Sequence, residues 1–205
     1  MDKKIKVYID ALDTDSINAV RKDKLQELSS IISSEKSVNI NFICTHNSRR
    51  SHLGQIWAQT IAEYYDLNIS TYSGGTESTA LFPEIIKVLL DTGFLVTKIS
   101  TGKNPVYAIK FGDNGKPIIG FSKKYDSSFN PDSEFIAVMT CSSAANECPV
   151  VKGAKFRFTL TYDDPKISDH TTHQYAVYIE RSKQIATEMK YLMKLVKEGQ
   201  KDLKN

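Results

Sequence analysis

The sequence predicts an α/β protein: an open four-stranded parallel sheet with helices on both faces, an N-terminal strand–helix extension and an inserted β-hairpin. Two observations carry the core of that reading, and a third the insertion. Short apolar runs alternate with stretches of helical periodicity from residue 38 onward, the order that builds a parallel sheet. One such strand passes through a tight polar loop straight into a helix, at residues 38–65. The alternation is broken once, where Gly112-Asp113-Asn114-Gly115 stands between two apolar runs, and Asn-Gly in that setting signals a hairpin.

The chain has 205 residues, enough for one domain with appendages, here divided as an extension over 1–37 and a main body over 38–205 with an insertion at 101–130. In the extension, Lys4 to Ile9 is expected as a short strand. A helix follows, marked by Ile17, Val20, Leu25, Leu28, Ile31 and Ile32 and capped by Asp15 or Ser16. The main body opens with a strand at Val38–Ile43 and a helix at Ser51–Tyr65, whose apolar positions include Leu53, Ile56, Trp57 and Ile61. A second strand, Ile69–Ser73, ends in Gly74-Gly75, where a sharp turn is expected. Pro83–Leu90 reads as a helix, with proline in its first turn and Gly93 past its end. Val106–Lys110 and Pro117–Phe121 are the hairpin strands, Phe135–Met139 and Phe156–Leu160 the last two of the main sheet. A long amphipathic helix carrying Tyr175, Tyr178, Ile185, Met189, Leu192 and Val196 on one face closes the chain.

Composition narrows the function classes. A net charge of +3 is too mild to argue for nucleic acid or a membrane surface, and no apolar run approaches membrane-spanning length. Three cysteines without a signal-like N-terminus point to the cytoplasm and to thiol chemistry instead of a disulfide framework. They lack a Cys-x2-Cys pair or a close histidine cluster, so no metal site is expected. His52, His170 and His173 have no partners in the sequence and read as surface residues.

The chemistry concentrates in Cys44-Thr45-His46-Asn47-Ser48-Arg49-Arg50-Ser51. A strand feeding a helix through a short loop gathers unpaired backbone N–H groups and a positive dipole end around one small volume, which suits a tetrahedral oxyanion. A cysteine is a nucleophile only as thiolate, and at an unperturbed value of about 8.5 only about 3% is ionised at pH 7. Helix N-terminus, converging amides and a nearby guanidinium all favour the thiolate. Arg50, five residues past the thiol, can fork two donors onto two oxygens of a bound oxyanion, and Ser51 can donate to the sulfur. Two further cysteines, Cys141 and Cys148, follow the third main-sheet strand and are expected on the same face as Cys44. In one continuous helix their Cα atoms would stand about 10.5 Å apart, beyond the roughly 7 Å reach of a disulfide, so pairing them requires a segment that is not helical or that unwinds. Asp163-Asp164-Pro165 closes the fourth strand, where a carboxyl group can protonate a leaving oxygen or merely cap a turn.

Taken together, the loop from Cys44 to Ser51, the later Thr140-Cys141 and Cys148-Pro149, and Asp163-Asp164-Pro165 resemble the thioredoxin-coupled arsenate reductases, built on the low-molecular-weight protein tyrosine phosphatase fold. The likeness covers about residues 38–100 and 132–198. It implies that Cys44 attacks arsenate while Arg50 clamps it, Asn47 shapes the loop, Ser51 holds the thiolate and Asp164 is the general acid. It further implies that Cys141 attacks the Cys44 adduct, and that Cys148 passes the resulting disulfide outward for thioredoxin to reduce. No bound cofactor is implied, with thioredoxin as external reductant. Some members hold potassium beside the loop through an acidic residue on the first helix; the matching position here is Gln55, which argues against that cation. His46 stands where the family has glycine, and Arg49 replaces a small or apolar residue. Two other readings are a phosphatase of the same fold, hydrolysing phosphomonoesters through a phosphocysteine, and a non-catalytic oxyanion-binding or redox-responsive protein. Lys166-Ile167-Ser168 after the Asp-Pro pair, where phosphotyrosine phosphatases of this type carry aromatic residues, weighs against the first.

Overall fold

A computed structural model describes residues 1–35, 37–148 and 150–202; Pro149 of the cysteine motif lies outside them. The main sheet has four parallel strands, β1 (Val38–Cys44), β2 (Ile69–Gly75), β6 (Phe135–Met139) and β7 (Ala154–Thr159), in the order β2-β1-β6-β7. Between the second and third of these in sequence lie β3 (Leu95–Lys98), β4 (Tyr107–Lys110) and β5 (Ile118–Gly120), an antiparallel sheet of their own. The helices are α1 (Lys3–Asp10), α2 (Ala19–Ser33), α3 (Arg50–Tyr64), α4 (Pro83–Thr92), α5 (Ser142–Glu147) and α6 (Gln174–Asp202). Among the described residues no helix is long and apolar enough to cross a membrane.

Period-two alternation sorts the main sheet's side chains. Ile40, Phe42, Ile136 and Val138 enter one large core with Leu53, Trp57 and Ile61 of α3 and Ile185, Met189 and Leu192 of α6. Phe135, Ala137 and Met139 face the other way, into a smaller cluster with Cys44, Cys141 and Ala144. The alternation of strand and helix around a four-stranded sheet is as expected, with α3 and α6 on one face and short α5 on the other.

The extension corrects two expectations. Residues 3–10 are a helix, not a strand. In a strand Ile5, Val7 and Ile9 would share a face, yet Ile5 and Ile9 are buried while Val7 is 58% exposed, the spacing of one helical stripe. Asp2 caps this helix by accepting from the Lys4 amide (2.8 Å), and Tyr8 stacks on Trp57. The α2 cap is Asn18, which accepts from the Arg21 amide, whereas Asp15 and Ser16 sit in a preceding 3-10 turn; Val20 faces solvent. Leu25, Leu28 and Ile32 join the large core beside α6.

Gly74-Gly75 is a second correction in kind: the chain does not turn there but continues as strand. Glycine is needed for close approach. A Cβ on Gly74 would lie 2.3 Å from the Tyr125 Cα, and one on Gly75 would lie 2.5 Å from the Thr45 carbonyl oxygen. The neighbour in question is the segment returning from the small sheet, residues 121–130. Its Lys123 carbonyl accepts from the Gly75 amide, and its Tyr125 amide donates to the Gly75 carbonyl (both 2.9 Å). The hairpin itself forms as expected, pairing Ile109 with Ile118, but β3 adds a strand that begins before residue 101.

Candidate active site

The C-terminal ends of β1, β6 and β7 bring the chemistry together. Register pairs Cys44 with Gly75 and Ile43 with Met139, so the loop after β1, the cysteine segment after β6 and the acidic turn after β7 leave the sheet at one rim. A cleft of about 220 Å³ opens there, lined by Cys44, Thr45, His46, Ser48, Arg49, Arg50, Ser143, Asp164 and Lys166. None of these side chains is a Phe, Tyr or Trp.

Cys44 is 4% exposed, at the floor of the cleft. Its sulfur accepts from the Asn47 amide (3.2 Å) and lies 3.1 Å from Ser51 Oγ. Asn47 has φ +44°, a left-handed turn that aims its amide inward, and its side chain donates to Ser51 Oγ (2.9 Å). His46, at the position where the family carries glycine, is not among the residues of positive φ; its ring nitrogen lies 3.2 Å from the Glu77 carboxylate. Thr45 and Ser48 fasten the loop's other carbonyls, accepting from the Glu77 and Phe82 amides. The first-turn amides of α3 have no acceptors within the helix, by helix geometry, and no acidic residue occupies that turn.

Arg50 reaches across the cleft to Asp164 (2.6 Å) and to the Tyr162 carbonyl (2.9 Å). Asp164 also caps the 3-10 turn Pro165–Ser168 by accepting from the Lys166 amide (3.1 Å), as the capping reading of this residue expects. Asp163 points outward, 89% exposed, toward Arg181. Cys141 is buried (2%), its sulfur 3.5 Å from Thr45 Oγ1 and accepting from the Ala144 amide (3.3 Å). Cys148, partly buried, follows the C-terminal end of α5, where Arg157 donates to the Ala145 and Cys148 carbonyls. All three thiols are free.

Comparison with known proteins bears on the fold that carries this site. No family model matches the chain. An arsenate reductase of Bacillus subtilis is 25% identical over 142 residues, 69% of this chain and 84% of that protein. A solved YwlE mutant from Bacillus subtilis superposes with a TM-score of 0.53 at 16% identity, over 82% of this chain and 100% of the other. A low-molecular-weight phosphotyrosine phosphatase from Vibrio cholerae O395 gives 0.52 at 13% identity, over 77% and 95%. The chain has the fold of the low-molecular-weight protein tyrosine phosphatases and a sequence similar to an arsenate reductase. The reductase and the phosphatase among these relatives are both enzymes.

Within that fold, several residues do what the sequence did not suggest. Arg49 lines the cleft, but its guanidinium is held by Asp169 and by the Tyr178 hydroxyl (both 2.5 Å) and stacks 3.9 Å from the Phe82 ring. Tyr178 in turn donates to Asp169 (2.6 Å). His52 is fully buried, not a surface residue; burial first, and the charge of Lys123 second, push its imidazole down to about 3. Lys123, 4% exposed, lies over the rings of Phe121 and Phe129, and burial pulls its ammonium down to about 8. Gln55 is used up within the protein, accepting from Ser73 Oγ (2.7 Å) and donating to the Thr71 carbonyl (3.3 Å). Only a helix-period pattern could have flagged His52, since it shares α3 with Leu53 and Ile56; the partners of Arg49 lie too far along the chain to be read locally.

Proposed function

We propose that the protein reduces arsenate to arsenite through a relay of Cys44, Cys141 and Cys148. The observation that carries this reading is the position of Cys141, a second thiol buried at the edge of the oxyanion loop, 3.5 Å from the hydroxyl of Thr45. A phosphatase of this fold has no use for it. The lack of Phe, Tyr or Trp in the cleft walls supports the same choice, since the lining offers a small oxyanion its ligands and a phenol ring none of those side chains to stack on.

In this mechanism the Cys44 thiolate attacks arsenic(V), with the α3 amides and Arg50 holding the remaining oxygens. Asp164 delivers a proton to the departing hydroxide, which leaves as water. The Cys141 thiolate then attacks the Cys44 sulfur. The sulfur–arsenic bond breaks, its electron pair stays on arsenic, and arsenite departs as arsenic(III) while a Cys44–Cys141 disulfide forms. Cys148 attacks Cys141, freeing the Cys44 thiolate and moving the disulfide to 141–148, where the dithiol of thioredoxin reduces it by exchange.

The test is a thiol count by mass spectrometry on the reduced protein, before and after arsenate and without thioredoxin. The expected result is loss of two thiols, with the new bond mapped to Cys141 and Cys148. Cys141→Ser should abolish arsenate turnover and spare hydrolysis of an aryl phosphate. Three thiols surviving turnover would overturn the relay and favour phosphomonoester hydrolysis by Cys44, Arg50 and Asp164.

A further inference from the structure

We propose that Ser122 and Lys123, where the small inserted sheet returns to the main one, are positioning residues for the nucleophile: they set the direction of the hydrogen-bond chain that ends on the Cys44 sulfur. The inference rests on Cys44 being the nucleophile, whichever oxyanion it attacks.

The chain is read from the one donor in it that cannot reverse. The backbone N–H of Lys123 points at the Asn47 side chain (2.9 Å). A backbone N–H only donates, so the amide atom facing it is the oxygen. The nitrogen of that amide therefore faces Ser51 Oγ (2.9 Å) and donates to it. With Asn47 donating to its oxygen, the Ser51 hydroxyl keeps its own proton free for the sulfur 3.1 Å away, and toward a thiolate it is the donor. A hydroxyl proton aimed at sulfur favours thiolate over thiol. The second donor to that sulfur, the Asn47 backbone N–H, hangs on the same residue.

Ser122 holds the loop one residue earlier. It is 2% exposed, donates to the His46 carbonyl (2.9 Å) and accepts from the Thr79 amide (2.7 Å). Asn104, from the same insertion, grips Ser122 on both sides, accepting from its amide (3.1 Å) and donating to its carbonyl (2.7 Å). The inserted segment thus ends in a rigid grip on His46 and Asn47, the two residues between which the loop bends inward.

The test follows the rate of Cys44 alkylation by iodoacetamide against pH in the full chain, with the site of labelling mapped by peptide mass. In Ser122→Ala and in Asn104→Ala the rate at pH 6 should fall about three- to tenfold, the worth of one net hydrogen bond, while the high-pH plateau stays at the wild-type level. Ser122→Thr, which keeps the hydroxyl, should restore the profile, and Asn114→Ala at the exposed hairpin turn should not change it. Profiles of both alanine variants that coincide with wild type would overturn the proposal. So would a rate lowered equally at every pH, the mark of altered access. If Ser122→Ala does not fold, as judged by urea unfolding, Asn104→Ala decides alone. The assay uses no arsenate, so its failure is separable from failure of the reductase reading.

Discussion

Arg49 and Arg50 are adjacent and chemically identical, and the fold gives them opposite duties. Arg50 faces the cleft and bridges to Asp164, whereas Arg49 ties the loop to α6 and to the turn after Asp164. A partly buried bidentate network of this kind resists loss of one partner, because a carboxylate would be left without its counter-charge. Arg49→Met should lower unfolding stability by about 2–3 kcal/mol, read as a lower urea midpoint at unchanged slope. Arg49→Lys should recover less than half, since an ammonium cannot reach two acceptors as a planar fork does. Arg50→Lys should leave the midpoint near wild type and abolish turnover. The spacing from Cys44 to Arg50 was readable because loop and helix are local. Arg49 was not, because Asp169 and Tyr178 stand 120 and 129 residues away.

Elements with strong periodicity were legible in the sequence, and those defined by a neighbour were not. β6 has the expected bounds because all five of its residues are apolar and buried. β3 escaped notice because four mostly exposed residues carry no pattern until β4 pairs with them. The extension's first helix is hidden in the sequence because Ile5, Val7 and Ile9 fit period two, whereas the helical stripe uses only Ile5 and Ile9 and leaves Val7 exposed. Gly74-Gly75 looked like a turn because glycine permits turns, but here it makes room for Tyr125 and Thr45. Gly74→Ala forces its new methyl against the Tyr125 backbone, which cannot rotate aside. It should destabilise the protein by about 1–3 kcal/mol, seen as a lower melting temperature, and loosen amide-exchange protection through residues 121–130 first.

For the molecule as a whole, the most consequential feature the sequence concealed is the polar layer buried beneath the loop, with His52 and Lys123 in it. His52 falls from an ordinary 6.5 to about 3 through burial. Between those values the unfolded chain binds a proton that the folded one refuses, so stability is complete above pH 6.5 and drains away as pH falls toward 3. From pH 7 to 4.5 that amounts to about 2–3 kcal/mol. Urea unfolding of His52→Leu should show a correspondingly shallower acid limb than wild type. Lys123 acts at the other end: its burial is costly while it is charged, and stability should rise as pH passes from about 8 to 10.5. A further consequence lies in the bond between the Cys141 sulfur and the Ala144 amide, which caps α5. In the proposed relay, once Cys141 joins Cys44 its sulfur is no longer a free thiolate acceptor at the head of that helix. Closing the inner disulfide in that relay would therefore weaken the six-residue spacer between Cys141 and Cys148. The relay would then be timed by the fold itself: the outer thiol would gain its freedom to approach only after the inner one had been spent.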